Sequence, residues 1–283
     1  MSVTRKVVLG HRKKSLSVRT VGRTSAWSNG SNRNTIQQKL RWLMAHDNTP
    51  LKSLCADKLA VRGYVSERLG LHDGSMFVPV IGVWDRAEDI DFDPLPDRFV
   101  LKCNHGSGYN IVCRDKSSFN VDDARRRIGS WLKSDYGKKW GEKFYSRIVP
   151  KAFAEEYLDT KEVFDYKFWC FNGEPKFFSR SRNNVKSNHK TTYYDLSGKL
   201  LRYSLRNHPS TFKPLDPFPD DLPEMTEYAR RLSEDFTFVR VDFMKCDGRL
   251  YFGELTFIPG CARFKFRNSW HDREVGSFLK LPE

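Results

Sequence analysis

The sequence predicts a mixed fold of the α+β or α/β class, and three observations predict it. Apolar residues recur at helical spacing in some segments and form alternating or continuous strand-length runs in others. The two kinds of segment mix without strict alternation and without an internal repeat. Glycine-bearing turns join strand-like runs into hairpins, most plainly at Asn172-Gly173. The 283 residues are 39% apolar and 14% aromatic, too hydrophobic for a disordered chain and enough for one large domain or two ordinary ones. No stretch approaches the roughly 18 apolar residues of a membrane span, and the N-terminus lacks a signal-peptide core, so integral membrane and exported classes are not expected.

Residues 1–33 are rich in Ser, Thr, Asn, Gly, Lys and Arg, show no apolar period, and read as a flexible arm. Ile36, Leu40, Leu43 and Met44 mark a helix that Asn48-Thr49-Pro50 ends. A second helix is expected over 57–70, burying Leu59, Val61, Val65 and Leu69. A short strand over 78–84 and an acidic, Pro-containing link over 85–97 follow. Residues 98–103 and 109–113 read as strands flanking the loop Asn104-His105-Gly106-Ser107-Gly108. A helix over 121–133 leads to strand-like runs at 152–158 and 165–171, then to the Asn172-Gly173 turn and a partner strand at 175–180. Residues 191–195 read as one more strand, and a helix over 222–233 precedes the final hairpin, 236–245 and 249–257.

Charge is uneven along the chain. Of a formal +14, ten units come from the Lys and Arg of residues 1–46, which contain no acid, leaving about +4 for the rest. A nucleic-acid binder would spread basic residues over a folded face among stacking aromatics, so no specific nucleic-acid partner is expected. The arm reads as a solvated tail or as a contact for an anionic membrane surface or acidic polymer. The six cysteines are scattered, with no C-x-x-C, which argues for reduced thiols in the cytoplasm rather than zinc or disulfides.

Chemistry concentrates in three places. In the final hairpin, strand alternation puts Arg240 and Asp242 on one face and Glu254 and Thr256 on one face of the partner strand. A three-residue loop, Cys246-Asp247-Gly248, would set Arg240 opposite Glu254 with Asp242 diagonal to it. Two carboxylates and a hydroxyl suit Mg²⁺ or Mn²⁺, and Arg240 a phosphate; the competing reading is a surface hairpin with cross-strand ion pairs. Second, Lys102 runs into the 104–108 loop, where small residues would let backbone N–H groups approach phosphate oxygens; a merely tight turn is the alternative. Third, Ala154-Glu155-Glu156-Tyr157-Leu158 combines an apolar strand with acids and an expected open backbone edge, which suits an adenine as well as it suits a solvated edge strand.

In this order the segments resemble the ATP-grasp superfamily, and most closely its TupA-like branch, associated with teichuronopeptide and other polysaccharide biosynthesis. The resemblance rests on Ala56-Asp57-Lys58-Leu59-Ala60-Val61-Arg62, residues 99–108, Asp165-Tyr166-Lys167-Phe168-Trp169-Cys170-Phe171-Asn172-Gly173, Arg240-Val241-Asp242 and Phe252-Gly253-Glu254-Leu255-Thr256-Phe257. It covers roughly residues 35–282 and implies a short helical and linker region (34–96), a small subdomain with the glycine loop (97–158) and a large subdomain with the metal site (159–283), two α+β units clasping ATP. By that resemblance Lys58 and Lys102 would bind the α/β-phosphates, and His105, Gly106, Ser107 and Gly108 would close over the β/γ-phosphates. Glu155, Tyr157 and Leu158 would line the adenine hinge and Glu162 would take the ribose. Asp242 and Glu254 would hold two Mg²⁺ (or Mn²⁺), with Thr256 standing where the superfamily has asparagine. Lys167 would reach the γ-phosphate beside Arg240, and Arg180 or Arg182 would hold the acceptor.

The resemblance implies an ATP-dependent carboxylate-amine ligase that works through an acyl phosphate and releases ADP. Its branch implies a uronic acid or glutamyl carboxylate of a surface polymer and an amino-acid amine, in the cytoplasm or at the inner face of the membrane. Two rivals stand beside it. A glycosyltransferase would need a D-x-D metal motif, which Asp89-Ile90-Asp91 and Asp91-Phe92-Asp93 provide as strings. A polyanion-binding protein would work through the basic arm.

Overall fold

The computed structural model describes residues 33–160, 162–183, 191–208, 210–215 and 218–282; the expected arm, apart from Arg33, lies outside them. Helix α1 (Ile36–His46) begins in a capping box, the Thr35 hydroxyl accepting from the Gln38 N–H and the Gln38 side chain accepting from the Thr35 N–H. The Thr49-Pro50 pair does more than stop it. Thr49 caps α2 (Pro50–Ala56) and Pro50 fills its first position, where proline's missing N–H costs nothing, so a helix stands where the sequence suggested a break. Helix α3 (Val61–Leu69) starts later than expected because the Asp57 carboxylate accepts the Leu59 and Ala60 N–H groups and turns the chain first.

Four strands form the first sheet: β1 (Val80–Trp84), β2 (Phe99–Cys103), β3 (Asn110–Cys113) and β4 (Ala152–Glu156), ordered β1-β4-β2-β3 and antiparallel throughout. Helix α4 (Val121–Leu132) lays Ala124 and Ile128 on the Phe99, Leu101 and Cys103 face, which leaves Lys102 on the other. The sequence reading gave β4 an open edge. In the structure β1 covers one side and β2 the other, and even the Glu156 N–H is taken by the Pro79 carbonyl at 3.1 Å.

The second sheet holds β5 (Val163–Phe171), β6 (Glu174–Asn183), β7 (Thr191–Asp195), β8 (Leu200–Leu201), β9 (Phe238–Cys246) and β10 (Arg249–Thr256), ordered β10-β9-β5-β6-β7-β8 and also antiparallel. Antiparallel pairing in both sheets makes the class α+β. Between α4 and β4 lies the short helix α5 (Tyr136–Trp140). Helix α6 (Leu222–Ser233) buries Met225, Ala229 and Leu232 against one face of the second sheet, its Ala229 carbonyl 3.9 Å from the Cys170 sulfur. Helix α7 (Ser269–Ser277), absent from the sequence reading, packs near α1: Lys39 donates to the Gly276 carbonyl at 2.9 Å. All six cysteines are free thiols, and no helix among the described residues is long and apolar enough to cross a membrane.

Candidate active site

The geometry of the final hairpin differs from the sequence expectation in a way that matters. Its loop has two residues, Asp247 (φ 48°) and Gly248 (φ 82°), because Arg249 pairs with Cys246. Continued without interruption, that register would bring Glu254 opposite Val241 and turn its carboxylate to the other face. A bulge at Gly253 absorbs one residue, so Glu254 pairs with Asp242 and Thr256 with Arg240. Met76 belongs to the same feature, its carbonyl accepting the Phe252 N–H at 2.7 Å just before the bulge.

Four polar side chains converge as a result. Arg240 forks onto Asp242, Nε to Oδ1 and NH2 to Oδ2, both at 2.6 Å, and its NH2 reaches Thr256 Oγ1 at 3.1 Å. Thr256 donates in turn to Glu254 Oε1 at 2.9 Å. Lys167, opposite Asp242 on β5, donates to Oδ2 at 2.9 Å. Asp242 is 5% exposed; burial pushes its carboxyl up, but Arg240 and Lys167 outweigh that and hold it below the usual aspartate range. Burial pulls Arg240 down, and Asp242 more than reverses it. Glu254 keeps 40% of its side chain exposed.

Across from this face stand two lysines. The turn capped by Asp57 delivers Lys58, whose ammonium donates to the Gly106 carbonyl and whose N–H donates to the Asn104 carbonyl at 3.2 Å. Asn104 ties these pieces together: its amide donates to Asp57 at 2.9 Å and to the Val149 carbonyl at 3.0 Å, and accepts the Lys151 N–H at 2.7 Å. Burial holds the Lys58 ammonium below the usual lysine range, with Glu254 opposing and Lys102 adding to the effect. Lys102 pairs with Glu155, which also receives Arg62 at 2.7 Å. In the glycine loop, a Cβ at Gly106 would come 2.7 Å from the Tyr109 ring, and Gly108 has φ 76°, so both need glycine.

Lys58, Lys102, Glu155 and Glu254 line one cavity of about 340 Å³ between the sheets, and Asp242, Arg240, Thr256 and Lys167 stand behind Glu254 without lining it. Lys58, Lys102, Ser107, Gly108 and Glu155 come from the first wall, Asp165 and Glu254 from the second, and Phe77, Phe153, Phe243, Met244 and Phe252 make an apolar side. Two carboxylates on paired strand positions are hard oxygen donors of the kind Mg²⁺ or Mn²⁺ takes, and they fit a divalent ion shared with phosphate. Among the described residues no three His, Cys, Asp or Glu side chains form a metal cage, so an ion on Asp242 and Glu254 would need its further ligands from phosphate and water. The Thr256 hydroxyl accepts from Arg240 and donates to Glu254.

Other nominated residues lie elsewhere. His105 is 2% exposed, its ring nitrogen 3.0 Å from the Trp131 carbonyl, and it packs instead of facing the cavity. Tyr157 and Leu158 follow β4 outside the lining, Tyr157 under the Arg98 guanidinium at 5.5 Å. Glu162, Phe164, Tyr166 and Arg180 share the face of the second sheet opposite Asp165 and Lys167, where they line a separate cavity of about 400 Å³. Glu162 pairs there with Arg182, so Glu162 and Arg180 stand on the sheet face away from the Lys102 and Glu254 cavity. Asp89 and Asp91 serve local turns, receiving Arg86 at 2.5 Å and the Asp93 N–H at 3.0 Å. Arg62 was missed as a cavity residue, although it stands four residues after Lys58, one helical turn on. Glu142 was missed too: buried at 4% exposure beside the Cys261 sulfur at 3.4 Å, its carboxyl is pushed by burial up to about 7. Nothing in the sequence around it announces that environment.

A cavity held this way between two antiparallel α+β walls is the architecture of an ATP-grasp protein. Within that class the chain belongs to the TupA-like ATPgrasp family, whose model matches residues 38–280. Among solved structures it is similar to the D-alanine–D-alanine ligase from Bacillus anthracis, at 20% identity over 74% of this chain and 58% of that one, TM-score 0.41. The L-amino acid ligase from Bacillus licheniformis matches at 13% identity over 80% and 49%, TM-score 0.48. The N5-carboxyaminoimidazole synthetase from Staphylococcus aureus complexed with ADP matches at 15% over 81% and 53%, TM-score 0.38. The chain spans about half the length of these proteins. No curated protein matches it.

Proposed function

We propose that the protein is an ADP-forming carboxylate-amine ligase that binds ATP with divalent metal in the cavity between its sheets. The observation that carries this reading is the bulge at Gly253, which sets Glu254 opposite Asp242 across from Lys58 and Lys102. Phosphoryl transfer needs neutralised charge and alignment more than covalent help, and the cavity offers cations and carboxylates. Lys58 and Lys102 would neutralise the polyphosphate, Ser107 and Gly108 would cover it, and the apolar side would take the base. Mg²⁺ or Mn²⁺ on Asp242 and Glu254 would draw charge from the phosphate oxygens they share. Arg240 and Lys167 would hold Asp242 in place and face the transferred phosphoryl group.

The substrate carboxylate would attack the γ-phosphorus as the bond to the β-phosphate breaks and ADP leaves. The amine would then attack the acyl carbon, phosphate would depart with the bonding pair, and the amine's proton would pass to solvent. A closed cavity protects such an acyl phosphate from water. The family suggests an anionic surface polysaccharide or its precursor as the carboxylate and an amino acid as the amine, at the cytoplasmic side of a membrane. An ATP-to-ADP assay with uronic and glutamyl carboxylates against an amino-acid panel, read by mass spectrometry for the condensed product, tests it. ADP formation should cease on EDTA treatment and return with Mg²⁺; turnover of a nucleotide sugar without ATP would replace this reading with a glycosyltransferase.

A further inference from the structure

The chain leaves β10 through the turn Pro259–Ala262 and enters a segment in which charge and aromatic surface alternate: Arg263, Phe264, Lys265, Phe266, Arg267. Phe266 is fully buried and Phe264 half-buried, its ring 5.6 Å from that of Trp169, while Arg263, Lys265 and Arg267 are exposed. A second segment fixes this arrangement. Leu205 and Phe266 form an antiparallel bridge, the Arg206 N–H donating to the Lys265 carbonyl at 2.9 Å and the Arg267 N–H to the Ser204 carbonyl at 2.7 Å. Around such a bridge neighbouring side chains take opposite sides, so Arg206 adds a fourth exposed cation beside Lys265.

Exposed arginines elsewhere sit in ion pairs, Arg86 with Asp89 at 2.5 Å and Arg230 with Glu227 and Glu234 at 2.7 and 2.6 Å. Among the described residues no acid pairs with Arg206, Arg263, Lys265 or Arg267. Asp272, five residues after Arg267, is buried and accepts the Phe266 N–H at 3.1 Å and the Gln37 amide at 2.5 Å. Like charges held together without counter-ions concentrate a positive field. Ring contacts lead from this row back to the cavity: the Arg263 guanidinium lies 5.3 Å over Trp140, Trp140 meets Tyr136 at 6.3 Å, and Tyr136 meets Tyr109 of the lining at 5.8 Å. Beyond Arg267 stands Trp270, 55% exposed.

Resting on the ligase reading above, we propose that Arg206, Arg263, Lys265 and Arg267 form a docking surface for the carboxylate substrate, and that this substrate is a polyuronate chain rather than a single acid. A chain with a carboxylate on every sugar can place one in the cavity while its neighbours meet the row. Side chains two residues apart on an extended segment stand about 6 to 7 Å from each other, so the cations are spread along a line. Each exposed contact is weak in water, and several along one chain act together. Trp270 favours a sugar polymer over a polyglutamyl chain, because an indole offers a flat apolar face that a sugar ring can cover.

Isothermal titration of the full chain with oligogalacturonate, galacturonate and Mg-ATP at near-physiological salt tests this, thermal unfolding confirming that each variant is folded. The triple variant Arg263→Gln, Lys265→Gln, Arg267→Gln should bind oligogalacturonate about tenfold more weakly than the unaltered chain and Mg-ATP equally well, since it removes charge outside the nucleotide cavity. Trp270→Ala should weaken oligogalacturonate several-fold and leave polyglutamate unchanged. Oligogalacturonate affinity that survives the triple variant overturns the docking surface, and galacturonate binding as tightly as the oligomer overturns the polymer. Tighter binding of polyglutamate, single-stranded DNA or phosphatidylglycerol vesicles than of oligogalacturonate overturns the choice of a polyuronate. An unaltered chain that binds Mg-ATP but not oligogalacturonate refutes the docking surface alone, whereas one that binds no Mg-ATP refutes the ligase reading.

Discussion

Glu254 is the side chain on which the proposed chemistry depends most directly. Glu254→Gln keeps the volume, still accepts from Thr256 and removes the charge that would face a divalent ion. ADP formation should fall by at least about 100-fold while the unfolding midpoint stays within error; full activity in that variant would remove the metal assignment. Glu142 yields a prediction about stability. Burial raises its carboxyl from an ordinary 4.5 to about 7, so the folded chain keeps a proton that the unfolded chain releases first. Stability should therefore fall as pH rises from about 4.5 to about 7 and level off above, a loss on the order of 3 kcal/mol. Glu142→Gln cannot ionise; its denaturant midpoint should match the unaltered protein near pH 4.5 and exceed it near pH 8.

At the scale of elements, the β9–β10 hairpin converts register into function. A Cβ at Gly253 would lie 3.0 Å from the Asp242 carbonyl oxygen and 3.6 Å from its Cβ. Gly253→Ala must shift one strand against the other at the point where Glu254 meets Asp242. We expect a stability loss of about 1–2 kcal/mol by chemical denaturation, and a larger loss in ADP formation because the paired carboxylates move apart. The hairpin also shows the limits of pattern reading. Alternation alone put Arg240 with Asp242 and Glu254 with Thr256, and the structure agrees. Turn length and bulge position were not readable, because a two-residue turn plus a bulge and a three-residue turn differ by two residues of register and leave the same side chains on the same face. Helices α1, α4 and α6 carried strong apolar periods and emerged where expected, whereas α2 was hidden by reading Thr49-Pro50 as a stop instead of a start.

Over the whole molecule, the described residues bring both sheets, the glycine loop and the hairpin together in one unit, residues 33–283 in the contact pattern. The residues that line the cavity all belong to that unit. Removing residues 1–32, which carry no acid and no apolar period, should leave ADP formation within about twofold. Loss of all activity on truncation would instead favour a polyanion-binding protein led by its basic arm.

The sequence by itself determined the fold class, most elements, the lysine before the glycine loop and the paired acids of the last hairpin. Local rules govern each of these, namely periodicity, capping and turn chemistry, and local rules are written in neighbouring residues. Only the tertiary structure decided that β4 lies inside its sheet, that Glu162 and Arg180 face away from the cavity, that His105 is packed, and that Arg62 and Lys102 share Glu155. Those outcomes depend on which strand covers which edge and on a single bulge, and the energies that select them come from contacts between residues far apart in the chain.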